Sequence, residues 1–456
     1  MEIRKLLEKL GHKNLLSSDW YSNIEKWLNW YGGKAKFHDY TVYNGQQFVP
    51  CTRKTLGMAK KVSEDKADLL LNEKVEIAVA GGAELQKYLD AVLDDNNFWV
   101  RGNQLVELAN ALGTGAFVEF KENDVVRIDY IPASCVWPLS WRNGNITECA
   151  FASRLSSGDD EQTYVNRHLI ENGKYVVYND LFDKQGAPLA LPAGVLPQWS
   201  TGSATPLYQI ITPNIANNID IANPMGISVY ANSIDDLQMI DLAYDSFFNE
   251  FKLGKKRIFV DDTMLKPTPV SGELVPIFDT NDTVFYGIPR VDGDKKPITE
   301  SNMDLRVDDH IKGIQTALDV LSEKCGFGKG YYKFDGDNVT TATQVISQNS
   351  KLFRRVQKDE IILDKALTDM VRAVLFLGGK SPDAEVSINF DDSIIEDTEA
   401  KANRAMREQS AGIIDDVEYF MITRNLDEKS AQELVDKIAA RKPEPPPTPD
   451  LFGGGA

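Results

Sequence analysis

Apolar residues recur at helical spacing most clearly between Asn223 and Leu253. There Tyr230, Ile234, Leu237, Ile240, Tyr244, Phe247 and Phe251 follow the three-and-four rhythm of one helix face. Asn223 is a capping residue, and Pro224 suits a first turn, where its missing N–H would be unpaired anyway. Asp235 and Asp236 place negative charge near the amino end, Lys252 places positive charge near the carboxyl end, and Gly254 is a stop. The pattern predicts a helix of about 25 residues, roughly 37 Å long. A second helix is predicted from Met303 to Lys324, with Ile311, Ile314, Ala317, Leu318 and Leu321 as its stripe. A third runs from Thr340 or Thr341, either a suitable cap, to about Phe376.

Upstream, residues 1–31, 52–73 and 83–112 read as helical, the last as one or two helices. Trp20, Tyr21, Trp27, Trp30 and Tyr31 form an aromatic group of a kind that more often packs in a core or subunit contact than stacks on bases. From 116 to 182 the period switches to short β runs: Phe117 to Phe120, Val126 to Ile131, Ile146 to Ser153, Thr163 to Ile170 and Tyr175 to Tyr178. Asn172-Gly173 is a hairpin signal between two of them, and the whole reads as an antiparallel meander. Five prolines between Gln185 and Ile219 rule out a helix there. Lys255-Lys256-Arg257 leads into Ile258-Phe259-Val260, and residues 261–300, rich in Asp, Pro, Gly and Thr, form a small module between two helices. Gly326 to Asn338 is a glycine-bearing loop with Lys329, Tyr331, Tyr332, Lys333 and Phe334. Ala384 to Phe390 is a lone strand that must pair with the earlier sheet. Residues 393–441 are charged helices with a turn and cap at Gly412 to Asp416.

Composition narrows the function. With 68 acidic against 50 basic residues, the net charge is −18, which argues against a broad grip on nucleic acid. It does not argue against a pore that lets DNA slide, since an acidic wall repels phosphate and holds no register. Cys51, Cys135, Cys149 and Cys325 form no CxxC pair, so neither a zinc site nor a disulfide framework is expected, and a reducing cytoplasm fits. The amino end has no signal-peptide core, and no run of about 20 apolar residues predicts a membrane span. His12, His38, His168 and His310 are isolated, so no catalytic set, metal site or cofactor is expected. Gly326, Gly328 and Gly330 follow a helix instead of opening one after a strand, so they are no dinucleotide fingerprint. Gly378-Gly379-Lys380-Ser381 is no Walker loop, because Val374 stands where its first glycine is required.

The segment from Asn223 through Arg257, the helical stretch Lys66-Ala67-Asp68-Leu69-Leu70-Leu71-Asn72-Glu73 before the β region and the sequence Thr340-Thr341-Ala342-Thr343-Gln344-Val345 together resemble the portal proteins of tailed bacteriophages, in their long-tailed form. Gln344 stands where that family usually has an acid. The order of the parts carries the likeness, over roughly 15–440. It implies an α+β portal fold: an α/β wing over 1–226, a two-helix stem at 227–253 and 302–325, and an inserted clip at 254–301. A tunnel loop would follow at 326–340, then a long spine helix and returning wing strand at 341–392. A helical crown would span 393–441, and the proline- and glycine-rich tail at 442–456 would be disordered. The implied protein is no enzyme. It forms a dodecameric ring at a capsid vertex of the virion, assembled in the host cytoplasm, for DNA packaging and ejection. Its partners would be non-specifically held double-stranded DNA, the terminase large subunit, head–tail adaptors, and capsid and scaffold proteins, with no membrane. In the tunnel loop Lys329, Tyr331, Tyr332 and Lys333 would face DNA. The basic cluster Lys252, Lys255, Lys256 and Arg257 would meet phosphate or a partner's acidic face, unless it is only a solvated helix end. The rival readings are a cytoplasmic α/β enzyme and another structural virion component.

Overall fold

A computed structural model describes residues 2–72, 74–157, 160–261, 268–270, 273–275, 285–288, 298–301, 303–334, 342–390, 398–424, 426 and 428–439. The predicted tail at 442–456, the caps Thr340 and Thr341, and the loop beyond Phe334 lie outside them. The chain divides into two units, residues 1–340 with 354–391, and residues 341–353 with 392–456.

The first unit begins with α1 (Ile3–Lys9) and α2 (Ser18–Tyr31), two helices where the spacing predicted continuous helix. Gly11, at φ 93°, breaks the first, and the Ser17 hydroxyl accepts from Trp20 N–H to start the second. Trp20, Trp27 and Trp30 are buried, so this part of the aromatic group packs as core. A hairpin follows that the residue spacing does not predict, β1 (Asp39–Tyr43) and β2 (Phe48–Thr52). Its signal was present: Asn44-Gly45 is hairpin chemistry, obscured by Pro50 inside β2. Helix α3 (Met58–Leu70) therefore starts six residues later than the predicted 52. Next come β3 (Glu76–Val79), α4 (Ala83–Asp95) and α5 (Phe98–Leu112).

Six strands fill the predicted meander, but in two sheets, because β4 (Gly115–Glu122) and β5 (Val125–Pro132) pair apart from β6 (Val136–Arg142), β7 (Asn145–Ser157), β8 (Asp160–Glu171) and β9 (Lys174–Phe182). Strands β6 to β9 pair antiparallel in sequence, and Asn172 and Gly173 both take the positive φ that their turn needs. Strand β6 escapes residue-pattern prediction because it contains Pro138, where the register slips. Short strands β10 (Pro188–Leu189) and β11 (Gln198–Ser200) add to β9, and β12 (Tyr208–Ile211) pairs with β4. Helix α1 covers the meander, with Leu6 and Leu7 packed among Trp137, Leu139, Ala150, Val165 and Phe182.

Helix α6 (Ile234–Leu253) is shorter than predicted, because residues 223–230 make turns. The Asn223 side chain accepts from Met225 N–H and so closes a turn there instead of capping a helix. Tyr230 is fully buried and donates to the Trp27 carbonyl. Beyond α6 lie β13 (Arg257–Asp261), β14 (Thr268–Val270), β15 (Glu273–Val275), β16 (Phe285–Ile288) and β17 (Ile298–Ser301), with β13 between β16 and β17. Helix α7 (Val307–Cys325) starts four residues later than the predicted Met303, and α8 (Ala342–Leu377) spans 36 residues. Strand β18 (Val386–Asn389) pairs antiparallel with β3, not with the meander, so the expected return is met by a different partner.

In the second unit, α9 (Thr398–Ser410), α10 (Asp416–Arg424) and α11 (Glu428–Ala439) succeed one another. The expected cap is present: the Asp415 carboxylate accepts from Glu418 N–H, and the Glu418 carboxylate accepts from Asp415 N–H.

Candidate functional site

Helices α6 and α7 lie side by side and antiparallel. Two ion pairs fix the direction. Arg306, at the start of α7, meets Glu250 near the end of α6 at 2.8 Å, and Lys324 at the end of α7 meets Asp236 at the start of α6 at 2.6 Å. Between them Phe247 packs on His310 with ring centroids 5.6 Å apart. Arg306 holds the Glu250 carboxyl down at about 2, first through its side chain and then through its backbone N–H. The chain between the helices contributes the β13 sheet at the Glu250–Arg306 end, the end from which α6 exits and α7 enters.

At the other end α7 closes on a left-handed Gly326, at φ 88°. Its N–H bonds the Glu323 carbonyl, and Phe327 N–H reaches back to the Ser322 carbonyl. The loop that follows is tethered over its described part. Gln315 on α7 donates its amide to the Tyr332 carbonyl at 2.9 Å and accepts from Phe334 N–H at 2.8 Å. Phe327 is buried and packs on Lys66 of α3, whose ammonium pairs with Asp359 of α8 at 3.0 Å. Lys66 and Asp359 are both buried, and Asp359 also accepts from Asn214 N–H. Removing one member of such a pair strands a charge out of water, a loss of about 3–5 kcal/mol.

The predicted loop residues separate on these contacts. Lys329 is 76% exposed at its side chain, with Asp319 at 3.9 Å, and Tyr331 is 40% exposed. Lys333 is exposed. Tyr332 differs from expectation: it is buried against Phe327 and Tyr331, so its ring anchors the loop and is not offered to a passing ligand. In the basic cluster Lys252 and Lys255 are exposed, while Lys256 is joined to Glu300 of β17 at 2.5 Å and Arg257 lies over Tyr286 of β16. The structure thus splits the cluster between the helix end and the strand module.

Glycine-rich Gly378-Gly379-Lys380-Ser381 caps α8. Gly379 N–H bonds the Phe376 carbonyl and Lys380 N–H the Leu375 carbonyl, so these donors close a helix instead of cradling phosphate. Lys380 projects over Tyr88 at one side of an open cleft of about 800 Å³. Among the described residues no group of three or more His, Cys, Asp or Glu is placed to hold a metal ion, and no helix is long and apolar enough to cross a membrane. All four cysteines are free thiols, and burial pushes Cys325 up to about 12.

The described residues thus form a paired-helix strut with a strand module at one end and a tethered loop at the other. The chain belongs to the phage portal protein family, SPP1 Gp6-like, whose model matches residues 17–444. It is accordingly a head–tail connector portal and a component of the virion. No curated protein matches the chain. Among solved structures it is similar to a chain from the "neck of native GTA particle computed with C12 symmetry", at 11% identity and TM-score 0.44, covering 80% of this chain and 88% of that one. It is also similar to one from the "neck of empty GTA particle computed with C6 symmetry", at 10% identity and TM-score 0.48, covering 91% and 96%.

Proposed function

We propose that twelve copies of this chain close into a ring at one capsid vertex and that DNA passes along its axis during packaging and ejection. The antiparallel pair α6 and α7 carries the reading: it supplies an upright wall element, the stem. Residues 254–301 serve as the clip where terminase docks first and head–tail adaptors later. Residues 1–226 form most of the wing, with β18 returning to it. Residues 341–392 supply the spine and 393–441 the crown, toward capsid and scaffold proteins. Assembly takes place in the host cytoplasm. The subunit hydrolyses nothing itself; the terminase motor supplies the work.

Residues 326–340 serve as the tunnel loop. Lys329, Lys333 and Tyr331 face the duplex and touch phosphate and sugar only, so contact carries no base information. Tyr332 sets the base of the loop. Among the basic cluster, Lys252 and Lys255 are the groups offered to an acidic partner or phosphate, while Lys256 and Arg257 hold the clip sheet.

The test is DNA packaging with K329A/K333A particles. The expected result is intact rings with packaged DNA lowered several-fold. Unchanged packaging with rings intact would discard the loop assignment.

A further inference from the structure

We infer that the β1–β2 hairpin is an arm that each subunit lays on the outer face of α6 in a neighbouring copy. This rests on the ring reading above and names a contact within that ring.

The arm is built to be held firmly at its root. His38, just before β1, bonds the Asp241 carboxylate of α6 at 2.8 Å, both side chains buried. Just after β2, Leu56 N–H donates to Asp241 at 2.8 Å and Lys54 N–H donates to Asp245 at 2.9 Å. The Arg53 guanidinium lies between Phe37 and Tyr40, 4.6 and 4.3 Å from their ring centroids. Both ends of the hairpin are thus pinned to one helix, while its tip makes little use of that support. Tyr43 and Phe48, opposite one another and 5.3 Å apart, are 57% and 72% exposed. A two-stranded ribbon with an exposed aromatic pair has too little burial to hold its tip on its own account. Among the described residues β1 and β2 pair only with each other.

Charge selects the occupant. The chain is 26% charged, yet from Tyr40 to Thr52 it carries no charged residue at all. DNA or an anionic bilayer would call for lysine or arginine on the arm. Two copies at −18 each repel wherever their acidic surfaces meet, so they approach best through uncharged patches. The chain offers a matching patch. From Leu237 to Asn249 the ionisable groups with acid side chains are Asp241 and Asp245, both buried. Met239, Leu242 and Ser246, spaced three and four apart, share a face of α6, and Met239 and Leu242 are 53% and 49% exposed. That face is neither the Asp241/Asp245 side that roots the arm nor the Phe247 side that packs on α7; it is bounded at its ends by exposed Asp235, four residues before Met239, and by Glu250, which Arg306 neutralises. An arm on one subunit and a stripe on the next make a heterologous contact, the kind that propagates around a closed ring.

The test uses assembled rings of the full chain carrying C51S and C135S. Chains with Tyr43→Cys and chains with Leu242→Cys, bearing tags of different mass, are mixed before assembly and treated with a short bismaleimide. The expected product joins the two tags, and it is absent when either cysteine is omitted. Rings that form but yield no such product overturn the arm contact and leave the ring reading standing. A wild-type chain that never forms rings overturns both. In a second arm of the test, Phe48→Asp should weaken ring formation at least tenfold with the monomer's thermal midpoint unchanged, whereas Phe48→Leu should keep rings. Rings that assemble normally with Phe48→Asp overturn the inference.

Discussion

Glu119 on β4 is fully buried, with the side-chain amide of Gln209 as its polar neighbour. Burial pushes the Glu119 carboxyl up from 4.5 to about 8; the Gln209 amide pulls it back in part, and Asp369 of α8 adds to the rise. The folded state therefore prefers the neutral acid. Its contribution to stability is fully present below pH 4.5 and is lost as pH rises toward and through 8. Glu119→Gln keeps the shape without the charge. Denaturant melts between pH 5 and 9 should show wild-type stability falling by no more than about 5 kcal/mol, with most of that slope removed in Glu119→Gln. An equal slope in both proteins would place the titration elsewhere.

At the scale of elements, the join between α5 and the segment leading into α6 depends on two glycines. Gly113, at φ 86°, has no room for a Cβ, which would collide with the Gly226 backbone carbonyl; a Cβ on Gly226 would meet the Gly113 carbonyl. Gly113→Ala should cost more than about 2 kcal/mol in thermal or denaturant melts, and a loss below about 0.5 kcal/mol would show that the two backbones can part freely. That approach links residues far apart in the chain, and this is the kind of fact the sequence withholds. Local patterns were legible: the α7 stripe, the Asn172-Gly173 turn, the Asp415/Glu418 cap and the helical run of α8. The start of α6 was misread because Asn223-Pro224 is equally good turn chemistry, and only the close packing of Gly226 and the burial of Tyr230 decide between the two. Strand β6 was hidden by Pro138, and β1–β2 by Pro50, since a proline argues against a strand wherever pairing is not known. The union of β3 with β18 rests on contacts across some 300 residues of chain, roughly as far as local periodicity is from seeing. In the loop, Tyr331 and Tyr332 are adjacent and chemically alike. One is 40% exposed and the other 8%, because Gln315 fixes the backbone there and turns the second ring onto Phe327.

The whole molecule combines portal-family membership, a paired-helix strut and a strongly acidic charge. Membership in the portal family says what kind of assembly the chain serves, and the α6–α7 pair is the part proposed to line its passage. A net charge of −18 suits a wall that guides a polyanion without gripping it. The proposal places this strut around an axial channel. A cryo-EM reconstruction of the neck of the assembled particle tests it most directly. The expected map shows a closed ring of twelve copies, with α6 and α7 upright around an open axis and residues 326–340 pointing inward. A particle without such a ring, or a ring whose axis is lined by other elements while α6 and α7 lie outside it, would overturn this arrangement.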